Sequence, residues 1–110
     1  LGIEVPSDRL GVLQDIHWSF GAFGYFPTYA LGTLLAAQIW DVARAELPDL
    51  DAQLEAGDLA PLRAWLGEKV HRHGRRLEPR ELIRSATGRE LSAEPYLAFA
   101  ARRAEGAPAQ

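Results

Sequence analysis

Apolar residues recur at helical spacing along most of this chain, and the longest such run lies between residues 27 and 46. Its stripe follows the spacing i, i+3, i+4, i+8 and i+11, and consists of Leu31, Leu34, Leu35, Ile39 and Val42. Pro27 suits the first turn of this helix, and Pro48 ends it or begins the next segment. The sequence therefore predicts a long central helix with this stripe in the core.

Shorter helical segments follow. Residues 48–56 form an acidic helix that Gly57 closes, and Asp58 caps the next one. A third helix ends at Gly88, and Ser92 caps the last. The apolar positions predicted to face inward on the later helices are Leu62, Trp65, Leu66, Val70, Leu82, Ile83, Ala86, Tyr96, Leu97 and Ala100.

The pattern is weaker in the first 25 residues. Residues 1–7 look extended, and Ser7 or Asp8 is predicted to cap a short helix that runs to about His17. A loop is predicted at residues 19–25, because its two glycines permit backbone angles that other residues resist.

The length of 110 residues fits one domain, residues 1–110, and the helical pattern predicts an all-α fold of about five helices with a long central helix after an aromatic and glycine-rich loop. A net charge of −3, with 12 basic and 15 acidic residues, does not favour a nucleic-acid partner. The apolar runs are too short to span a bilayer, so no membrane association is expected. The absence of cysteine excludes disulfides and thiolate metal sites and is compatible with a cytoplasmic location.

Residues 11–29 combine aromatic, glycine and polar residues more densely than any other stretch. The aromatic rings in it belong to His17, Trp18, Phe20, Phe23, Tyr25, Phe26 and Tyr29. Pockets pair apolar walls with a few placed polar groups, and Gln14, Asp15 and His17 supply such groups here. The sequence therefore predicts a pocket wall in this segment.

Residues 11–18 match the pattern G-x-x-Q-D-x-H-W, and the run G-Y-F-P-T-Y-A-L-G follows at residues 24–32. Together with the basic segment 70–76 and the E-P-Y-L run at 94–97, these motifs resemble the C-terminal part of the carboxypeptidase Taq family of zinc metallocarboxypeptidases. The resemblance covers essentially the whole chain. It implies that the single domain corresponds to the C-terminal region of such an enzyme.

The resemblance also implies a metal site that lies elsewhere. The family holds zinc with H-E-x-x-H on a helix and a downstream glutamate, so that two histidines four residues apart reach one ion. This chain has histidines only at positions 17, 71 and 73, and no H-E-x-x-H. We therefore expect no metal ligand and no cofactor in this chain, with zinc belonging to the full-length family.

The resemblance places His17, Tyr25 and Tyr29 at substrate or oxyanion positions, where they would donate hydrogen bonds to a peptide or hold its terminal carboxylate. The alternative is that these three side chains close a pocket wall by hydrogen-bonding each other. In isolation, donors without a metal-activated nucleophile give no turnover, so no catalytic residue is expected to act in this chain alone.

Gln14, Asp15 and Trp18 are the further candidates for the substrate pocket. Asp15 either orients His17 or caps a helix, and the two alternatives stay open at this point. Trp18 and the phenylalanines of the segment are more typical of packing than of substrate contacts.

The basic segment 70–76 offers His71 and His73 as a metal pair, but residues two apart on a helix point to different faces. Positive charge at a helix C-terminus is the better interpretation. Its arginines are interpreted as solvated side chains of a basic turn. The alternatives are that they bind an anion, or that they contact the rest of an enzyme or another subunit.

Three hypotheses result. The first is that the chain is a stand-alone C-terminal domain that has no catalytic activity by itself and has a regulatory role or shapes a substrate cleft. The second is a fragment of an active zinc metallocarboxypeptidase that removes C-terminal amino acids, and the third is a helical oligomerisation module. The expected partners are a second copy of the chain, peptides, or a peptidase catalytic domain, because exposed aromatic segments favour self-association.

Overall fold

The computed structural model describes residues 2–106. The α-helices are α1 (Ile16–Ser19), α2 (Pro27–Glu46), α3 (Leu50–Glu55), α4 (Ala60–Lys69), α5 (Pro79–Thr87) and α6 (Glu94–Ala104). Short 3-10 turns lie at Asp8–Leu10, Val12–Gln14 and His71–His73. No strand occurs between residues 2 and 106, and the all-α fold is confirmed.

Packing divides the chain into two compact units, Leu1–Leu31 and Gly32–Gln110. The first holds α1, the 3-10 turns before it and the start of α2. The second holds the remainder of α2 and the helices after it. The assignment of residues 1–110 to a single domain stays a prediction.

The N-terminal segment differs from the predicted short helix. Two 3-10 turns take the place of its first part, and only Ile16–Ser19 is α-helical. Ser7 makes no capping hydrogen bond, and Asp15 is the residue whose side chain caps α1. Gly11 separates the two turns, which is consistent with its weak helix propensity.

The central helix runs from Pro27 to Glu46, where the apolar pattern predicted it. Its buried positions are Gln38 and Ala43, flanked by the partly buried Ile39 and Val42 of the predicted stripe. Leu31 is exposed, contrary to its predicted place in the core. It belongs to the first unit, whereas the buried positions of this helix, Gln38 and Ala43, belong to the second.

The core of the second unit is small and centres on Trp65, with Leu50 and Ala43 buried against it. Around these three pack the partly buried side chains of Ile39, Val42, Leu47, Leu54, Leu62 and Leu66. The indole Nε1 of Trp65 donates to Glu46 Oε2 at 2.8 Å, and Lys69 Nζ lies 2.9 Å from the same oxygen. The hydrogen bonds from Lys69 and then Trp65 lower the pKa of Glu46 below its usual value.

Helix ends in the second unit follow the sequence signals. Oδ1 of Asp58 accepts from the N–H of Ala60, and the hydroxyl of Ser92 accepts from the N–H of Glu94. α5 starts with a capping box and ends at Gly88, whose left-handed backbone suits glycine. Leu97 is exposed, although it was predicted to face inward, while Tyr96 and Ala100 on the neighbouring stripe are half-buried.

Between residues 2 and 106, no helix is both long enough and apolar enough to cross a membrane.

Candidate functional site

A contact between Asp15 and His17 lies at the start of α1. Oδ1 of Asp15 accepts a hydrogen bond from the backbone N–H of His17 at 2.9 Å, which caps the helix. The same oxygen lies 2.7 Å from Nδ1 of the His17 ring. The backbone N–H of His17, and then its ring, lower the pKa of the Asp15 carboxyl. Asp15 therefore both caps the helix and orients the histidine, so the two alternatives of the sequence analysis hold together.

The His17 ring is also held on its faces. Tyr25 stacks on it, with ring centroids 4.9 Å apart and 21° between the planes. Phe26 packs against it at 4.7 Å and 59°. Aromatic rings at these distances attract each other more strongly than the burial of their surface alone would give. The plane of the imidazole is therefore fixed by two neighbours.

Tyr25 and Tyr29 pair one helical turn apart. Their hydroxyl oxygens lie 3.2 Å apart, and their rings meet edge to face with centroids 5.6 Å apart. The hydrogen bond with Tyr25 raises the pKa of Tyr29. The structure thus brings His17, Tyr25 and Tyr29 together in one ring cluster with Phe26. We call these four residues the aromatic cluster.

The turn between α1 and α2 brings Tyr25 to His17. The N–H of Ala22 donates to the carbonyl of His17 at 2.9 Å, which folds the chain back on itself. Gly21 and Gly24 have φ of 70° and 80°, where a side chain would strain the backbone. The hydroxyl of Thr28 then donates to the carbonyl of Tyr25 at the entry to α2. The two glycines of the predicted loop are thus required by its geometry.

Gln14 and Trp18 lie outside the aromatic cluster. Gln14 is exposed, and its Nε2 donates to the carbonyl of Arg9 at 2.6 Å, so it supports the 3-10 turns. Trp18 packs on Phe23, with centroids 5.4 Å apart. Phe26, which the sequence predicted to be a packing residue, lies against the His17 ring. Its position next to Tyr25 in the G-Y-F-P-T-Y run was the sequence feature that could have indicated this contact.

These contacts lie within the G-x-x-Q-D-x-H-W and G-Y-F-P-T-Y segments, and the comparison with known proteins extends the match over nearly the whole chain. The sequence model of the family described as carboxypeptidase Taq (M32) metallopeptidase matches residues 1–104. The chain belongs to the carboxypeptidase Taq (M32) family.

Members of the M32 family match this chain closely in sequence. Carboxypeptidase 1 of Bacillus subtilis is 51% identical over 92 residues, which are 84% of this chain and 18% of the relative. Thermostable carboxypeptidase 1 of Pyrococcus furiosus is 42% identical over 97 residues, which are 88% of this chain and 19% of the relative. The chain thus spans about a fifth of the length of these relatives.

Solved structures match to the same extent. The M32 carboxypeptidase from Deinococcus radiodurans R1 superposes with a TM-score of 0.85 at 47% identity, over 96% of this chain and 21% of that one. Trypanosoma cruzi metallocarboxypeptidase 1 superposes with a TM-score of 0.84 at 45% identity, over 94% of this chain and 22% of that one. The fold of this chain is therefore that of one segment of an M32 carboxypeptidase.

The metal of an M32 metallopeptidase does not fit the residues that the structure describes. Zinc sites need three or four His, Cys, Asp or Glu ligands, and no group of three such side chains converges between residues 2 and 106. Asp15 and His17 are two ligand types in contact, but Nδ1 of His17 is already engaged by the carboxylate. The described segment of this M32 chain does not supply a complete set of metal ligands.

The basic segment after α4, residues 70–76, contributes to no group of three or more His, Cys, Asp or Glu side chains that could hold a metal ion among the described residues. His71 and His73 lie in a 3-10 turn rather than at the end of α4. Arg72 lies 3.6 Å from Glu68 on the preceding helical turn, and its carbonyl accepts from Arg76. These local contacts agree with the interpretation of this segment as a solvated turn.

Proposed function

We propose that this chain forms the substrate-contacting part of a carboxypeptidase cleft and does not hydrolyse peptides by itself. The observation that carries the proposal is the geometry of the aromatic cluster. His17, which Asp15 contacts, stacks on Tyr25, and the Tyr25 hydroxyl lies 3.2 Å from that of Tyr29. The relatives that share this segment are named as carboxypeptidases. In this function the cluster positions the peptide, and the metal and its activated water come from elsewhere.

The phenol pair limits what the cluster offers a ligand. Each hydroxyl carries one proton, and the bond between Tyr25 and Tyr29 uses one of the two. When Tyr29 donates in this bond, the proton of Tyr25 is the one available for a substrate oxygen, either of a scissile carbonyl or of the terminal carboxylate. A single donor of this kind contributes to binding or to oxyanion stabilisation. Without an activated nucleophile it produces no turnover.

The metal content and activity of the purified chain test the inactivity. We expect no stoichiometric zinc after dialysis against a zinc-containing buffer, and no release of the C-terminal amino acid from a blocked dipeptide. Stoichiometric zinc together with hydrolysis of the dipeptide would contradict the proposed inactivity of the chain. The substrate-contacting role is tested on the same sample by titration with the blocked dipeptide.

In that titration Tyr25→Phe is expected to weaken binding by about three- to tenfold, the value of one neutral hydrogen bond. Tyr96→Phe is the matched control, because it removes the same atom from a half-buried tyrosine in α6, in the second unit. Equal affinities for both variants would contradict the assignment of the cluster to the substrate.

Self-association is the second candidate function, and the specific observation is the exposure of Phe20 and Phe23, at 78% and 72%, beside the half-exposed Trp18. Apolar side chains grouped in this way favour contacts with a second copy of the chain or with a peptidase catalytic domain. The cysteine-free composition is in keeping with the cytoplasmic location that we propose for either assembly.

Light scattering tests this candidate. We expect a mass above that of the 12.1 kDa monomer for the wild type, and a lower mass for Phe23→Ser. Leu97→Ser is the control, since Leu97 is exposed to a similar degree on α6. A monomeric wild type, or the same loss of mass with Leu97→Ser, would rule out the aromatic segment as the contact.

A further inference from the structure

One carboxylate oxygen of Asp15 is within hydrogen-bonding distance of two nitrogens of His17. Oδ1 lies 2.9 Å from the backbone nitrogen of His17 and 2.7 Å from Nδ1 of its ring. An ionised carboxylate has no proton to give, so each of these contacts needs a proton on the nitrogen. The lowered pKa of Asp15 keeps the carboxylate ionised over the neutral pH range. The proton of a neutral His17 ring must therefore lie on Nδ1.

A neutral imidazole carries only one ring proton. With that proton on Nδ1, the other ring nitrogen, Nε2, has a lone pair and can only accept a hydrogen bond. No hydrogen bond to Nε2 is formed between residues 2 and 106, and the side chain is 37% exposed. Tyr25 and Phe26 hold the ring plane from its faces, so the direction of the Nε2 lone pair is set as well.

We infer that Asp15 is a positioning residue that fixes neutral His17 as the Nδ1–H tautomer and so presents Nε2 as an acceptor for a hydrogen-bond donor of the ligand. For a peptide ligand, that donor is a backbone N–H. The ligand half of this inference rests on the proposed function, whereas the tautomer is a property of the chain alone.

The fixed tautomer changes the chemistry expected at His17. The resemblance to the carboxypeptidase Taq family implies that His17 donates a hydrogen bond to a substrate oxygen or an oxyanion. A neutral His17 held by Asp15 cannot donate from Nε2, and only the imidazolium, with protons on both nitrogens, can do so. When His17 is neutral, only the tyrosine pair can donate a hydrogen bond to a substrate oxygen. Towards a bound peptide, His17 then acts as an acceptor and the tyrosine pair as a donor.

The tautomer is read directly by long-range nitrogen–proton NMR of the histidine rings in the ¹⁵N-labelled chain at alkaline pH. We expect the Nδ1 shift of His17 in the protonated range and the Nε2 shift in the unprotonated range. His71 and His73 are internal controls, because neither ring takes part in a hydrogen bond between residues 2 and 106. The tautomer ratio of His17 should differ from theirs by about tenfold or more, for one charge-assisted bond. The His17→Gln variant identifies the His17 signals.

Asp15→Ser separates the two roles of Asp15. Serine caps a helix about as well as aspartate, so α1 is retained, but its hydroxyl ends one bond short of the ring. We expect the tautomer ratio of His17 in this variant to relax to that of His71 and His73. A wild-type His17 with the proton on Nε2, or a ratio unchanged in Asp15→Ser, would overturn the inference.

A blocked dipeptide added to the same labelled sample tests the ligand half. A shift of the His17 Nε2 resonance, with the tautomer retained, supports acceptance from the peptide. A wild-type tautomer as expected, with no response of His17 to the dipeptide, counts against the proposed function and leaves the assignment of the tautomer standing. The two failures are therefore distinguishable.

Discussion

Replacing Trp65 with alanine is expected to lower the free energy of unfolding by about 3–5 kcal/mol, the cost typical of deleting a large buried aromatic side chain. Trp65 is only 8% exposed and is the largest member of a core whose other buried residues are Leu50 and Ala43. The partly buried residues around it cannot close the cavity without moving α4 against α2. Because small domains have total stabilities of about 5–15 kcal/mol, this loss is a large fraction of the stability of the protein.

The indole also has a polar role. Its Nε1 donates to Glu46, which Lys69 contacts in turn, and Lys69 Nζ lies 5.9 Å from the ring centroid of Trp65. Trp65→Phe keeps most of the apolar contacts and removes this hydrogen bond, so we expect it to cost about 1–2 kcal/mol. The Glu46 side chain is 42% exposed, so in Trp65→Phe water can replace part of the hydrogen bond that the indole donates to it.

Urea denaturation followed by far-UV circular dichroism measures both variants. Trp18→Ala provides the matched control, since it makes the same chemical change at a side chain that is 47% exposed. Its cost should be about 1 kcal/mol or less, as is usual for surface substitutions. A Trp65→Ala protein as stable as Trp18→Ala would mean that the core does not centre on Trp65.

Local signals predicted the long helix well. Pro27 at its first turn and the apolar repeat act within a few residues of each other, and the observed bounds Pro27–Glu46 agree with them. The short helix predicted up to His17 was wrong over most of its length. Its apolar spacing did not indicate that the backbone there forms 3-10 turns, or that the α-helical part begins only after the Asp15 cap.

The aromatic cluster was predictable in its members and less so in its geometry. Asp15 and His17 are two residues apart, and Tyr25 and Tyr29 one helical turn apart, so both contacts are local. The stacking of Tyr25 on His17 depends on the turn that Gly21 and Gly24 permit. Its angles cannot be read from residue types.

The burial of Gln38 was not predictable from the apolar pattern. The residue lies between apolar positions of the α2 stripe and reads as a polar interruption, yet it is fully buried. Its partners lie 49–54 residues further along the chain, at the last residue of α5 and in the segment that follows it. Only the tertiary fold brings them together.

The network around Gln38 uses both ends of its amide. Nε2 donates to the hydroxyl of Thr87 at 2.8 Å and to the carbonyl of Glu90 at 3.1 Å. Oε1 accepts from the N–H of Ser92 at 2.9 Å. The hydroxyl of Thr87 is within donating distance of the carbonyls of Ile83 and Arg89, so its own proton is used inside the segment. Gln38 thus ties α2 to the end of α5 and to the segment that follows it through three hydrogen bonds.

Gln38→Leu is therefore expected to lower the free energy of unfolding by about 2–4 kcal/mol, because it removes three hydrogen bonds of a fully buried amide, each worth about 0.5–1.5 kcal/mol. Leucine is of comparable size and fills the space, so the loss is polar in origin. Hydrogen exchange gives the specific readout, because the Ser92 amide loses its acceptor in this variant. The exchange rate of the Ser92 amide should rise from wild type to Gln38→Leu by a larger factor than the rates of amides in the middle of α4.

Gln53→Leu makes the same chemical change at a site where, in the part of the chain that the structure describes, the amide oxygen has no hydrogen bond to lose. Oε1 of Gln53 is buried and has no hydrogen-bond partner between residues 2 and 106, so its removal relieves an unsatisfied polar atom. We expect this variant to be neutral or more stable by up to about 1 kcal/mol. If the two leucine variants lost equal stability, the loss would follow from removing a glutamine as such. A clear difference between them assigns the effect to the partners of Gln38.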